Sequence, residues 1–193
     1  GLSGVVLLAW RFNWLSAALG LGTIVFYGFF YTLWLKPNTA QNIVIGGAAG
    51  AMAPVIAWAA AANNLALTPW LLFLVIFLWT PPHFWALALY YQDDYREVKL
   101  PMMPVVAGEV STLRQMFGYS ILLVLVSGAL MFSASWLYGI AAVVLGGFFI
   151  KRCYHAMQTR SRLHEFALFK FSIVYLFALF GALIIEGLAG WQS

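Results

Sequence analysis

A short acidic run follows one of the long apolar segments of this 193-residue chain. Residues 90–99 hold two aspartates and a glutamate among tyrosines and basic side chains. If the preceding helix continued at about 3.6 residues per turn, His83, Tyr90, Asp94 and Glu97 would lie along one stripe. Mg²⁺ is usually held by one or two carboxylates together with phosphate oxygens and water. The spacing therefore allows a magnesium-bridged diphosphate site, and a solvated helix end carrying topological charges has the same pattern.

The composition indicates that the solvent of this chain is a membrane. Hydrophobic residues make up 64% of it and charged residues only 8%, against roughly 45–50% and 25% in a soluble domain. The net charge is +4, and the basic residues stand at the ends of apolar runs rather than on a surface interleaved with aromatic residues. This distribution excludes a nucleic-acid partner.

The sequence predicts an all-α, multi-spanning transmembrane helix bundle, because a spanning helix needs about 20 mostly apolar residues. A partial helix at Leu2–Trp10 is too short to span. About six complete helices are predicted, at Trp14–Leu35, Gln41–Ala62, Pro69–Tyr91, Gln115–Phe132, Trp136–Ile150 and Phe166–Leu188. Pro81 and Pro82 should kink the third helix, since each removes a backbone donor.

The basic residues predict the orientation, because cytoplasmic loops near helix ends carry an excess of Lys and Arg. With alternating spans, Arg11 alone lies outside. The residues predicted inside are Lys36, Arg96, Lys99, Arg114, Lys151, Arg152, Arg160, Arg162 and Lys170. The loops Gln92–Arg114 and Lys151–Glu165 would then face the cytoplasm. Cys153, in the second loop, is expected to be an incidental thiol on a reducing side.

Five strings between residues 31 and 108 resemble one family when they are taken together and in order. They are Tyr31-Thr32-x-x-Leu35-Lys36, Asn42-Ile43-Val44-Ile45-Gly46-Gly47-x-x-Gly50-Ala51, Trp79-Thr80-Pro81-Pro82-His83-Phe84-Trp85-Ala86-Leu87-Ala88, Asp94-Tyr95 and Pro101-Met102-x-Pro104-Val105-Val106-x-Gly108. The set resembles the heme O synthases, within the UbiA-like family of intramembrane aromatic prenyltransferases. The chain departs from them at Pro37, where a second basic residue is common, and at Ala53, where a second proline is common.

The resemblance implies a prenyltransferase that moves a farnesyl group from farnesyl diphosphate to a vinyl group of heme B and so makes heme O. Heme B is then a substrate and Mg²⁺ the cofactor. The expected location is a bacterial inner (plasma) membrane, with the acidic loop facing the cytoplasm. Heme A synthase or assembly factors of a terminal oxidase are candidate partners.

The resemblance also implies roles for particular residues. Tyr91-x-x-Asp94-x-x-Glu97 is similar to the second acidic motif of the wider family, so Asp94, assisted by Asp93 or Glu97, would bind magnesium. Contacts to the substrates are expected from Lys36, Asn42, His83, Tyr91, Arg96 and Lys99, and Lys36 is the best placed of the basic residues because it lies inside a matching string.

The first acidic motif of the wider family is absent from this chain. Gly1 is not preceded by an initiator Met, a basic stretch or a small-residue cleavage site. We therefore expect residues 1–193 to be a single transmembrane prenyltransferase domain without its N-terminal helices. The isolated chain is expected not to turn over.

Several alternatives remain open from the residues themselves. Arg96 and Lys99 have the positions of ordinary inside charges, and Asn42 the position of a helix-terminal hydrogen-bonding residue. His83 could contact heme or a proton route, or could be a buried histidine beside a proline kink. For the whole protein, the alternatives are a prenyltransferase with a quinone-ring or other aromatic acceptor and a non-enzymatic transporter or respiratory subunit.

Overall fold

The computed structural model describes residues 1–35, 38–98 and 100–190, and these form helices and short connections without any strand. The chain divides into two compact units, Gly1–Phe77 and Leu78–Ser193. In the described part, six helical stretches are long and apolar enough to cross a membrane. The predicted all-α membrane bundle is confirmed, and so is the short apolar helix that precedes its first span.

The described part of the first unit contains five helical elements and the start of a sixth. They are α1 (Leu2–Arg11), α2 (Trp14–Val25), a π-helical segment (Phe26–Leu35), α3 (Asn42–Ala51), α4 (Ala53–Ala62) and the beginning of α5 (Leu67–Tyr90). Asn13 joins two of them. Its Oδ1 accepts a hydrogen bond from the Ser16 backbone N–H at 2.9 Å, and its Nδ2 donates to the carbonyl oxygens of Ala59 and Ala60 at 2.7 and 3.1 Å. One side chain thus caps the start of α2 and binds carbonyls near the end of α4.

The second predicted helix is divided in the structure. Residues 41–62 were expected to form one helix, but α3 ends at Ala51 and α4 begins at Ala53. Pro54 is the second residue of α4 and has no N–H to donate to the preceding turn. Between the two helices, the Met52 N–H donates to the Ala49 carbonyl in a tighter turn. The two segments still form one apolar stretch, Asn42–Ala62.

The second unit contains the end of α5 and the rest of the chain. Its further elements are α6 (Gln92–Glu97), α7 (Met103–Val106), α8 (Glu109–Ala129), a 3₁₀ turn (Leu130–Phe132), α9 (Trp136–Thr159) and α10 (Arg162–Ala189). Helix α9 packs against both α8 and α10. Phe149 and Tyr175 are fully buried between α9 and α10, with ring centroids 4.9 Å apart. The Tyr175 hydroxyl donates to Ser127 Oγ of α8 at 2.8 Å, which satisfies a polar group in the core.

Three predicted helix ends were wrong, all because polar residues continue a helix beyond its apolar part. Helix α8 begins at Glu109 rather than Gln115, directly after Gly108, whose φ of 80° suits glycine. Helix α9 continues to Thr159 rather than ending at Ile150, and α10 begins at Arg162 rather than Phe166. The predicted basic loop is therefore reduced to residues 160–161.

The greater length of α9 changes the surroundings of Cys153. The predicted loop thiol is instead a helical residue with 0% of its surface exposed. Its neighbours on the same helix face, Phe149 and Ala156, are equally buried. Cys153 therefore behaves as a small core residue rather than an accessible thiol.

Candidate functional site

The acidic run forms its own short helix, α6, which follows directly after α5, the third predicted helix. Helix α5 ends at Tyr90, and Tyr91 stands between the two helices with φ −99° and ψ 26°. The predicted end of this helix, at about Tyr91, is therefore confirmed within one residue, and the single stripe from His83 to Glu97, which required an unbroken helix, is interrupted. Within α6, Asp94 and Glu97 are still three positions apart and share a face.

Asp93 is held by arginines on two elements. Its carboxylate forms an ion pair with Arg162, the first residue of α10. Arg96 lies 3.5 Å away on the next turn of α6. The hydrogen bond and charge of Arg162 keep the pKa of Asp93 below its ordinary value. The pair connects α6 to the start of α10.

Asp94 and Glu97 differ from Asp93 in their partners, although all three side chains are exposed. Neither forms an ion pair with any residue that the structure describes. Their carboxylates are therefore available to a cation, and two carboxylates completed by phosphate oxygens and water suit Mg²⁺. Within the same residues, no group of three or more His, Cys, Asp or Glu side chains is close enough to hold a metal by protein ligands alone.

Polar contacts fix α6 to the segment that follows it. Gln92 Nε2 donates to the Pro104 carbonyl of α7 at 3.0 Å. The Leu100 N–H donates to the Tyr95 carbonyl at 3.1 Å. In its described part, the segment 92–114, predicted as a polar loop, thus contains the two short helices α6 and α7 and the first residues of α8. Such a folded segment can hold carboxylates in fixed positions at the end of a span.

A row of aromatic rings leads from α6 to the interior of the second unit. Tyr90 lies edge-on to Tyr91 with centroids 4.8 Å apart and stacks on Phe166 of α10 at 4.7 Å. The Phe166 ring also stacks on Phe169, with the two ring centroids 5.9 Å apart. Phe169 in turn stacks on His83 at 4.8 Å. The row lies between α5 and α10 and reaches Tyr91, the residue directly before α6.

His83 is placed at the inner end of this row. Its ring lies between Trp79, at a centroid distance of 4.1 Å, and Phe169. Nδ1 is 2.7 Å from Ser172 Oγ, and Ser172 donates to the Phe169 carbonyl at 2.6 Å. Because a hydroxyl has one hydrogen, His83 must donate from Nδ1, and the neutral ring keeps its lone pair on Nε2. The histidine is therefore half-buried and hydrogen-bonded, and its contact with a substrate stays a prediction.

Several residues of this region were missed by the sequence reasoning. Arg162 was treated only as an inside charge, and Glu165 was placed in a loop, yet Glu165 has only 3% of its surface exposed. Glu109 Oε1 is also buried, without a hydrogen-bond partner in the described part of the chain. A helix predicted from Arg162 would have aligned residues 162, 165, 166, 169 and 172 on one face. Their common face is the signal that could have found them.

The remaining predicted site residues are placed as follows. Asn42 is the first residue of α3 in the first unit and has 5% of its surface exposed. Tyr91 has 43% of its surface exposed at the start of α6. Lys36 and Lys99, together with Pro37, lie outside the described residues.

The fold and the acidic helix define a multi-pass membrane protein of α-helices with carboxylates available at the end of one span. Residues 1–184 match the UbiA prenyltransferase family. The chain belongs to that family.

Named relatives make the similarity more specific. The chain is 52% identical over 201 residues to "Protoheme IX farnesyltransferase" of Rhodopseudomonas palustris strain BisB5, covering 97% of this chain and 63% of the relative. It is 49% identical over 192 residues to the protein of the same name from Synechocystis sp., covering 97% and 61%. The chain thus spans about three-fifths of the length of the curated relatives it matches. No solved structure gives a significant match to it.

Proposed function

We propose that the full-length protein transfers the farnesyl group of farnesyl diphosphate to a vinyl group of heme B, giving heme O. The observation that carries this proposal is that Asp94 and Glu97 on α6 are exposed and form no ion pair among the described residues, in a chain about half identical to relatives named for this reaction. Heme B is a substrate here, and the membrane is the solvent of both the prenyl chain and the porphyrin.

Asp94 and Glu97 are the residues that would hold Mg²⁺ on the diphosphate. When bound, the metal neutralises the charge that develops on the leaving group. Asp93 serves a different purpose in this proposal, because its ion pairs with Arg162 and Arg96 fix the position of α6. Arg96, Lys36 and Lys99 are proposed phosphate contacts, since charge-assisted hydrogen bonds strengthen as the diphosphate leaves.

The proposed reaction breaks the C–O bond between the farnesyl group and the diphosphate and forms a C–C bond between the farnesyl group and heme B. The C1–O bond of farnesyl diphosphate breaks, and its electron pair leaves with the diphosphate. The vinyl π electrons form the new C–C bond to C1, and water discharges the cation that remains and releases a proton. Tyr90, whose ring contacts Tyr91 and Phe166, would with these two residues shield the allylic carbon from water until the vinyl group arrives. Asn42 is proposed as a donor to the diphosphate, and His83 as a contact of the porphyrin through its Nε2 face.

The protein is further proposed to reside in a bacterial inner membrane, with α6 on the cytoplasmic side where both substrates are available. Heme A synthase or a terminal-oxidase assembly factor would then receive the product. A quinone-ring precursor is the competing acceptor, because the same diphosphate chemistry serves it.

The test uses membranes that contain the full-length protein, supplied with heme B, farnesyl diphosphate and Mg²⁺. Heme O is measured by mass for the wild type, Asp94→Asn and Asp93→Asn. We expect Asp94→Asn to reduce product by about 100-fold or more, as for loss of one transition-state contact, and Asp93→Asn to reduce it less. A prenylated quinone precursor in place of heme O would establish the other acceptor, and no product at all would favour a non-enzymatic role.

A further inference from the structure

A basic cavity lies in the second unit and is lined by α9 and α10. It has a volume of about 310 Å³ and opens between the last turns of α9 and the first turns of α10. It is lined by Phe148, Lys151, Arg152, His155, His164 and Ala167. The proposed transferase chemistry uses none of these residues.

The polar atoms of the lining side chains are all nitrogens. Lys151 and Arg152 are exposed, and the Arg152 guanidinium lies over the Phe171 ring at 4.9 Å, which orients it. The rings of His155 and His164 are 4.7 Å apart. Nδ1 of His164 is buried and has no hydrogen-bond partner among the residues that the structure describes. No carboxylate lines the cavity, so its chemistry suits an anion with several oxygen acceptors.

The depth of the cavity corresponds to the level of lipid headgroups. Trp136, at the other end of α9, has 71% of its surface exposed, as expected of an aromatic residue at a membrane interface. About 28 Å of helix rise separates Trp136 from His155 at 1.5 Å per residue. The hydrocarbon core is about 30 Å thick. Lys151 and Arg152 lie somewhat deeper, where their long side chains extend toward the interface.

An apolar stripe continues from the cavity toward the membrane centre. Ile140, Val144 and Phe148 follow one another at four-residue intervals on α9, which places them on one face. Their exposed fractions are 52%, 51% and 54%. The same helix therefore presents an exposed apolar track that ends at a cluster of cationic and imidazole groups.

We propose that this cavity binds the phosphate of an anionic phospholipid, whose acyl chain lies along Ile140, Val144 and Phe148. Lys151 and Arg152 contact the phosphate, and the Nδ1–H of His164 donates a further hydrogen bond to a phosphate oxygen. The apolar track distinguishes a lipid from free phosphate, because a soluble anion would gain nothing from it. Basic cavities between transmembrane helices are a recurrent form of headgroup site.

The experiment measures lipid retention by native mass spectrometry of the full-length protein, with phosphatidylglycerol and phosphatidylcholine titrated separately. The test variant is Lys151→Gln/Arg152→Gln. The matched control is Arg114→Gln/Arg160→Gln, which removes the same charge from exposed positions outside the cavity. We expect the test variant to bind phosphatidylglycerol about 30-fold more weakly, with less than a threefold change in the control. His164→Asn, which keeps the basic residues, should also weaken binding.

Three results would overturn the proposal. Equal losses in both double variants would mean that general charge attraction, and not the cavity, retains the lipid. Equal binding of phosphatidylcholine would remove the need for an anionic headgroup. Displacement of phosphatidylglycerol by millimolar inorganic phosphate would identify a soluble anion as the occupant. Thermal unfolding of each variant confirms that it is folded before lipid is added.

Discussion

Two adjacent aspartates of α6 have different surroundings although both are exposed. Asp93 points to Arg162 and Arg96, whereas Asp94 has no ion pair within the described residues. A carboxylate already neutralised by two guanidinium groups gains less from a metal than one that is free. The structure therefore divides the acidic run into a position that anchors α6 and a position that can receive a ligand.

The anchoring pair makes stability depend on pH in a definable direction. Arg162 lowers the folded-state pKa of Asp93, so the stabilisation is fully present above the unfolded-state pKa and is lost as pH falls through the folded-state value. We expect the difference in melting temperature between wild type and Arg162→Gln to shrink as the pH falls below about 5. Arg160→Gln, at an exposed position without an ion pair in the described part of the chain, is the control. A melting-temperature difference that grows on acidification would contradict a stabilising role for the Asp93–Arg162 ion pair.

A second residue-scale prediction concerns Ser172, which is fully buried. Ser172→Ala leaves Nδ1 of His83 and the Phe169 carbonyl without their shared hydroxyl partner. We expect the free energy of unfolding in mixed micelles to fall by about 1–3 kcal/mol, the usual penalty for an unsatisfied buried group. Ser133→Ala, at an exposed position, should change it little. Equal effects of the two substitutions would mean that the histidine does not depend on this contact.

At the scale of elements, the start of α9 depends on a carboxylate from α10. Glu186 has 4% of its surface exposed and accepts hydrogen bonds from the Ser135 backbone N–H at 3.2 Å, the Ser135 hydroxyl and the Tyr138 N–H at 2.8 Å. A carboxylate at a helix N-terminus satisfies N–H groups that lack helical partners and opposes the positive end of the dipole. One side chain therefore caps α9 and connects it to α10.

Removal of that cap should destabilise the second unit. We expect Glu186→Ala to lower the free energy of unfolding by about 2–4 kcal/mol, as the N–H groups of α9 lose a charged acceptor. Unfolding in mixed micelles, followed by helical circular dichroism, measures the change. Glu97→Ala is the control, because Glu97 is an exposed carboxylate without an ion pair in the described residues, and it should have little effect. A loss as small as that of the control would exclude the cap as a stabilising feature.

Two neighbouring glycines of α9 provide a test of helix packing. A Cβ at Gly146 would lie 2.6 Å from a methyl carbon of Val124, whereas one at Gly147 would meet nothing within 4 Å. We expect Gly146→Ala to destabilise the protein by about 1–3 kcal/mol through overpacking. Gly147→Ala should be neutral or should stabilise it by up to about 1 kcal/mol through helix propensity. The same unfolding assay compares them, and equal effects would mean that α8 and α9 do not approach closely at Gly146.

The elements also show which features a sequence can predict. Hydropathy located all six long apolar stretches, because the membrane requires each span to be apolar over its whole length. The ends of α9 and α10 were missed because Lys151, Arg152 and Arg162 do not stop a helix. The end of α5 was predicted within one residue, whereas the short helix α6 was missed because its six polar residues show no apolar face. Asp94 was found by its resemblance to a motif, whereas Arg162 becomes recognisable only once α10 brings it to Asp93.

At the scale of the whole molecule, six spans require the connections between them to alternate across the membrane. The short connection before α9 and the one between α9 and α10 lie at opposite ends of α9. Nine of the ten Lys and Arg residues fall on the side of α6 under this alternation, which favours the cytoplasm for that side. The orientation of the proposed active site can therefore be tested at positions far from it.

Labelling of introduced cysteines can test this orientation, because the native cysteine of this chain is buried. Cys153 is the single cysteine of this chain and has 0% of its surface exposed, so its thiol should not be labelled while the protein is folded. We expect Ser133→Cys to react with a membrane-impermeant maleimide in intact cells, and Thr159→Cys to react only after permeabilisation. Both positions are exposed, and labelling in detergent is the control for their reactivity. The reverse pattern would place α6 outside, where neither its carboxylates nor the basic cavity would face the cytoplasm, and would refute the predicted orientation.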